Sequence, residues 1–141
     1  MDLSWDPALA IGEPAIDEAH QALFQQGGRL VEALSGAADK DEVERLLTFL
    51  ASYALEHFRE EEALMDRTGY PPTASHQQQH IEFMQALASI HREFELRGAS
   101  PRLQERLRRM VFDWLRHHIA SVDRDFGRFV QERQRRARPL A

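Results

Sequence analysis

Cysteine is absent from the 141-residue chain, which removes disulfides, zinc fingers and every thiolate nucleophile or ligand from consideration. Long apolar runs are absent too: no stretch approaches the roughly 18 residues that a membrane-spanning helix requires, so no membrane insertion is expected. The opening residues, MDLSWDPALA, carry neither a basic region nor an extended apolar segment. A secretion signal is therefore not expected, and the cytoplasm is the expected compartment. There is no low-complexity tract, no repeat of fixed period and no alternating strand pattern. Positive charge is not in excess, with 23 acidic against 18 basic side chains and a net charge of −5, which argues against general nucleic-acid binding. Eleven of the seventeen arginines nevertheless fall between Arg102 and Arg138. They read as the solvated face of a last helix whose final turns complement its dipole.

What is present is helical periodicity. In the stretch around HFREEEALM, apolar residues recur every third or fourth position: Val43, Leu46, Leu47, Leu50, Tyr53, Ala54, Phe58, Leu64, Met65. This is one buried face of an amphipathic helix. Similar seams run through Ile16, Leu23, Phe24, Leu30 and Leu34, through Phe83, Leu87, Ile90 and Phe94, and through Leu103, Leu107, Val111, Leu115 and Phe126. Punctuation sets the ends. Asp17 is expected to cap the first helix and Asp39, with Glu42 three residues on, the second. Gly69 and two prolines follow the second, Gly98 the third, and Ser100–Pro101 opens the fourth. The reading is one domain over residues 1–141: an irregular arm over 1–15, helices over 16–35, 40–67, 74–97 and 101–133, and a basic tail over 134–141. Four helices with short connections predict an all-α, antiparallel up-down four-helix bundle. Gly27–Gly28 within the first helix predicts a close helix contact or a bend, and Trp5 and Leu9 are expected to cover one end of the core.

Polar residues interrupt these seams. His20, His57, His76, His80 and His118 all take core positions, as does Glu61 one turn beyond His57. A buried ionised carboxylate costs several kcal/mol unless it is paired or bound to a cation. His57 with Glu61, and His76 with His80, are two-ligand clamps at a spacing of four. Neutral imidazole is the commonest protein ligand for metal ions, and the cores of helical bundles are where facing helices build such sites. The set is too large for one zinc ion and contains no HExxH pair, so it reads as two metal ions sharing carboxylates. His117 is expected to face solvent and His91 to be structural.

The segments IDEAHQALF, HFREEEALM, GYPPTASHQQQH and WLRHHIASVD resemble the motif set of the hemerythrins, specifically the single-domain bacteriohemerythrins, in a match that runs from Trp5 to Phe126. That resemblance implies two iron ions (Fe2+/Fe3+) per chain with a bridging oxo or hydroxo group. It implies that His76, His80 and His118 hold one iron, that His20 and His57 hold the other, and that Glu61 and Asp123 bridge them. The one open position then lies on the iron with two histidines. Asp123 rests on the resemblance alone. Five residues after His118 is about 140° around a regular α-helix, where periodicity favours Val122, and Asp125 faces better but lies too far along the axis. A local π-type widening would reconcile Asp123 with the core.

By the same resemblance Phe58, Trp114, Leu115 and Ile119 line an oxygen pocket, and the function implied is reversible dioxygen binding, as carrier, store or sensor. Small anions at the open iron and an unidentified protein partner are further expectations. The alternative is a di-iron enzyme: an oxidase, a peroxidase or a nitric-oxide-handling protein. The abundance of histidine over carboxylate favours binding over catalysis.

Overall fold

Four long helices account for almost all of the computed structural model, which describes residues 5–71 and 73–137. Helix α1 spans Pro14–Glu32, α2 spans Lys40–Thr68 and α3 spans Thr73–Arg97. Helix α4 runs without interruption through α-helical Pro101–Arg108, π-helical Arg109–Asp113, α-helical Trp114–His117, π-helical His118–Asp123 and α-helical Arg124–Ala137. Neighbours pack in ring order, α1 on α2, α2 on α3, α3 on α4 and α4 back on α1. Connections of a few residues between such long helices force the chain to reverse at each one, so the expected all-α bundle is what forms. No helix among the described residues is long and apolar enough to cross a membrane.

The capping residues act through their side chains. Asp39 accepts a hydrogen bond from the Glu42 backbone N–H at 2.8 Å, and Ser100 accepts one from Leu103 N–H at 3.0 Å, with Pro101 following at the first helical position. Gly69 ends α2 in the left-handed region at φ 71°, a conformation that costs glycine nothing.

Helix α1 departs from the expected boundary. It starts at Pro14, whose fixed φ suits a first helical position, so Asp17 lies inside its first turn. The Asp17 carboxylate instead accepts from Ile11 N–H at 2.8 Å and Gly12 N–H at 3.1 Å, fastening the N-terminal arm. Helix α1 gives way at Ala33 to a π-turn that reaches Ala37, with Gly36 at φ 97°. Helix α4 continues to Ala137, so residues 134–137 of the expected tail are helical and exposed, while 138–141 fall outside the described residues.

Gly27 is a contact glycine. A Cβ there would lie 3.1 Å from Val111 Cγ1 and 3.4 Å from Phe112 Cζ, so its absence lets α4 approach α1. The arm lies over the same pair of helices further along. Leu9 and Ile11 are buried, the half-buried Trp5 meets Phe24 edge-on at 5.8 Å, and Gln131 donates to Ile11 O at 2.9 Å. A Cβ on Gly127 would sit 2.8 Å from that same Ile11 carbonyl oxygen and 3.0 Å from Ile11 Cβ. Because backbone cannot swing aside as a side-chain tip can, Gly127→Ala should lower stability by about 1–3 kcal/mol. Chemical denaturation tests this, and an unchanged midpoint would show that the arm is not held against α4.

Candidate metal centre

The seven side chains of the polar set are carried to the same place by all four helices. His20 comes from the second turn of α1, His57 and Glu61 from the C-terminal half of α2, His76 and His80 from the start of α3, and His118 and Asp123 from the second half of α4. All seven are buried, none more than 4% exposed. His117, adjacent to His118, is exposed as its position predicts.

Asp123 arrives by way of the π-helical segment His118–Asp123. Hydrogen bonds from i to i+5 place residues five apart across one turn from each other, so Asp123 shares His118's face while Val122 is only half-buried. At this turn the Ser121 hydroxyl donates to His117 O at 2.6 Å. The earlier π-segment, Arg109–Asp113, similarly turns Phe112 wholly into the core.

Each carboxylate divides its two oxygens between two groups of imidazoles. Glu61 Oε1 lies 2.7 Å from His76 Nε2 and 3.6 Å from His80 Nε2. Its Oε2 lies 3.2 Å from His57 Nε2 and 4.0 Å from His20 Nε2. Asp123 Oδ1 faces His76 at 2.7 Å and His118 at 3.3 Å, whereas Oδ2 faces His20 at 3.2 Å. The result is one nest formed by Glu61, His76, His80, His118 and Asp123, and a second formed by His20, His57 and Glu61.

Both nests are short of partners. Among the described residues, His57 Nε2, His80 Nε2, both Glu61 oxygens and Asp123 Oδ1 are buried without a hydrogen bond, a state proteins avoid unless something else satisfies the atoms. Five imidazoles with lone pairs, sharing two anionic oxygen pairs, suit two divalent or trivalent borderline cations. A third cluster, Glu44, His91 and Glu95, differs in kind. His91 Nε2 is 2.6 Å from Glu44 and 3.2 Å from Glu95 at the surface, so these groups satisfy one another and tie α2 to α3.

The surrounding layer is aromatic. Phe58 stacks on His80 at 4.0 Å and 8°, and Trp114 stacks on His118 at 4.6 Å and 11°. Phe83 braces both, at 5.5 Å from Phe58 and 5.0 Å from Trp114. Leu115 and Ile119 are buried on the α4 stretch that carries His118. Two polar contacts were not foreseen from the sequence: Glu62 meets His80 Nδ1 at 3.0 Å, and Gln79 meets His118 Nδ1 at 2.7 Å. Each is adjacent in sequence to a seam residue, so periodicity alone assigns it to no role.

The sequence that builds this site has counterparts among known proteins. The hemerythrin HHE cation binding domain matches residues 12–130. The chain belongs to the hemerythrin family. Hemerythrin relatives of similar length include a bacteriohemerythrin of Stenotrophomonas maltophilia, 29% identical over 125 residues that cover 89% of this chain and 79% of that protein. One from Methylococcus capsulatus is 28% identical over 111 residues, covering 79% and 82%, and one from Ralstonia nicotianae is 29% identical over 141 residues, covering 99% and 96%.

Without a cation the hemerythrin core balances its charge with protons. Burial alone would push the Glu61 carboxyl up, as would the neighbouring Asp123 charge. Contacts from His57 and His76 outweigh both and bring it to about 2. Asp123, likewise desolvated, is held well below the usual carboxylate range by Glu61, His118, His20 and His76. Burial lowers His76, but its contacts to Asp123 and Glu61 dominate and raise it to about 9. Burial keeps His118 below its ordinary value, whereas the raised His76 carries compensating charge. A histidine raised from 6.5 to about 9 contributes stability that is complete below pH 6.5 and lost as pH climbs through 9. The chelated, metal-free protein should therefore melt at progressively lower temperature between those limits, and a flat melting temperature across them would take the proton off His76.

Proposed function

We propose that the protein binds dioxygen reversibly at two iron ions held in this core, acting as a carrier, store or sensor of the gas. The observation that carries this reading is the division of Glu61 and Asp123 oxygens between a three-histidine and a two-histidine nest. In it His76, His80 and His118 hold one iron, His20 and His57 hold the other, and the two carboxylates bridge. Bound iron supplies reversible one-electron chemistry at each of two ions, matching a two-electron exchange with dioxygen.

The chain's own groups perform the rest. His76 must release its proton before its Nε2 can act as a ligand, so loading should liberate protons and weaken in acid. The two-histidine side has its own approach: a cleft of about 320 Å³ between α1 and α2 reaches His57 and Glu61 past Ile16 and Leu64. A small neutral gas can use such a route, and Glu60 and Arg67 stand along it. Phe58, Trp114, Leu115 and Ile119 would keep the interior dry, which slows proton delivery to reduced oxygen and so favours release over turnover.

Anaerobic iron loading with metal counting, followed by air, tests the reading. Two irons per chain and a visible band that comes with air and goes when oxygen is withdrawn are the expected results. Irreversible bleaching, or sustained turnover of peroxide or a reductant, would favour a di-iron enzyme instead. Within the binding reading, Leu115→Tyr should change the rate of oxygen binding or of autoxidation. Unchanged rates would remove Leu115 from the pocket.

A further inference from the structure

The geometry points to Glu62 as a positioning residue that makes the two metal positions electronically unequal, an inference that rests on the di-iron reading. Glu62 is not one of the converging ligands. Its Oε2 instead lies 3.0 Å from Nδ1 of His80, the nitrogen turned away from the core. The Nδ1–H donates to this carboxylate, which fixes the tautomer that leaves the Nε2 lone pair facing Glu61 Oε1. Phe58 lies flat against the same imidazole at 4.0 Å, so ring angle and tautomer are both constrained.

The other histidines are served differently. His118 Nδ1 has Gln79 Oε1 at 2.7 Å, a neutral amide acceptor. The Nδ1 atoms of His20 and His76 are buried with no hydrogen-bond partner among the described residues. An anionic acceptor raises the donor strength of the ligand it holds. Here that charge acts on the three-histidine nest, through His80. Greater donation stabilises the more highly charged ion, so the iron there should be held more tightly and resist reduction more than its neighbour. The Glu62 side chain is 24% exposed, so its replacement disturbs little of the core.

The test compares the full-length protein with Glu62→Gln, which keeps an acceptor oxygen but loses the charge, and with Glu82→Gln, a control at an exposed glutamate two residues from His80 on α3. Ferrous iron is titrated anaerobically against a competing chelator, and the oxidised centre is titrated reductively. Glu62→Gln should weaken one of the two binding steps by about 10–100-fold and raise the midpoint potential. Glu82→Gln should leave both as in the parent. Gln79→Glu, which gives His118 the same kind of partner, should move the potential the opposite way and supplies the test if Glu62→Gln does not fold. Parental affinity at both steps with an unmoved potential in Glu62→Gln, or an unmoved potential in Gln79→Glu, overturns the role of Glu62 alone. A parent protein that takes up no pair of irons overturns the di-iron reading and this role with it.

Discussion

Two carboxylates removed from water govern this molecule. Glu61 and Asp123 are each 1% exposed, and isolated carboxylates at such depth would either take up protons or cost several kcal/mol. They remain ionised because imidazoles from all four helices converge on them. This compensation is incomplete: among the described residues, oxygens of both, and ring nitrogens of His57 and His80, lack hydrogen bonds. A proton on His76 balances part of the charge, but that ring cannot reach atoms spread over two nests. Cations can, and the π-turn of α4 and the rings stacked on His80 and His118 keep these atoms aimed into the core.

Helix α4 shows what that aim costs in regular structure. An unbroken α-helix cannot point both His118 and Asp123 inward, since five residues carry the chain about 140° past the starting face. The π-helical turn from His118 to Asp123 removes the conflict. Ser121 caps a carbonyl in that turn with its hydroxyl. Rare helical geometry of this kind tends to mark functional sites, and here its use is concrete: it delivers the Asp123 carboxylate to the core.

How much of this was legible in the sequence follows from the same geometry. Where helices are regular, the 3.6-residue period exposed the polar intruders, and His20, His57, Glu61, His76, His80 and His118 are all buried where the seams put them. Where α4 is not regular, the period misled. It favoured Val122 over Asp123, which only the family resemblance supplied, and it left Phe112 out of the core. Composition offers no sign of a π-turn, because the widening is a compromise reached in tertiary packing. Asp17 was misread for a related reason. It has a capping residue's chemistry, but Pro14 had already begun the helix, and the carboxylate was free to bind the arm. Glu62 and Gln79 lie one layer beyond the seams, where a periodic pattern carries no information.

The bundle divides its work along its length. The N-terminal turns of α1 and α3, the last turns of α2 and the second half of α4 carry the polar centre. The opposite half is apolar, built from Leu30, Leu34, Val43, Leu47, Leu50, Leu87, Ile90, Phe94, Leu103 and Leu107, each at most 3% exposed. That half can align four helices without any cation, since burying aliphatic and aromatic side chains of this kind gains about 1.5–3 kcal/mol apiece. The polar half could not do so, because its ionised groups remain partly unsatisfied until charge is supplied. Separating the two confines the unsatisfied polar atoms to one half of the bundle, while the apolar half aligns the helices that aim them.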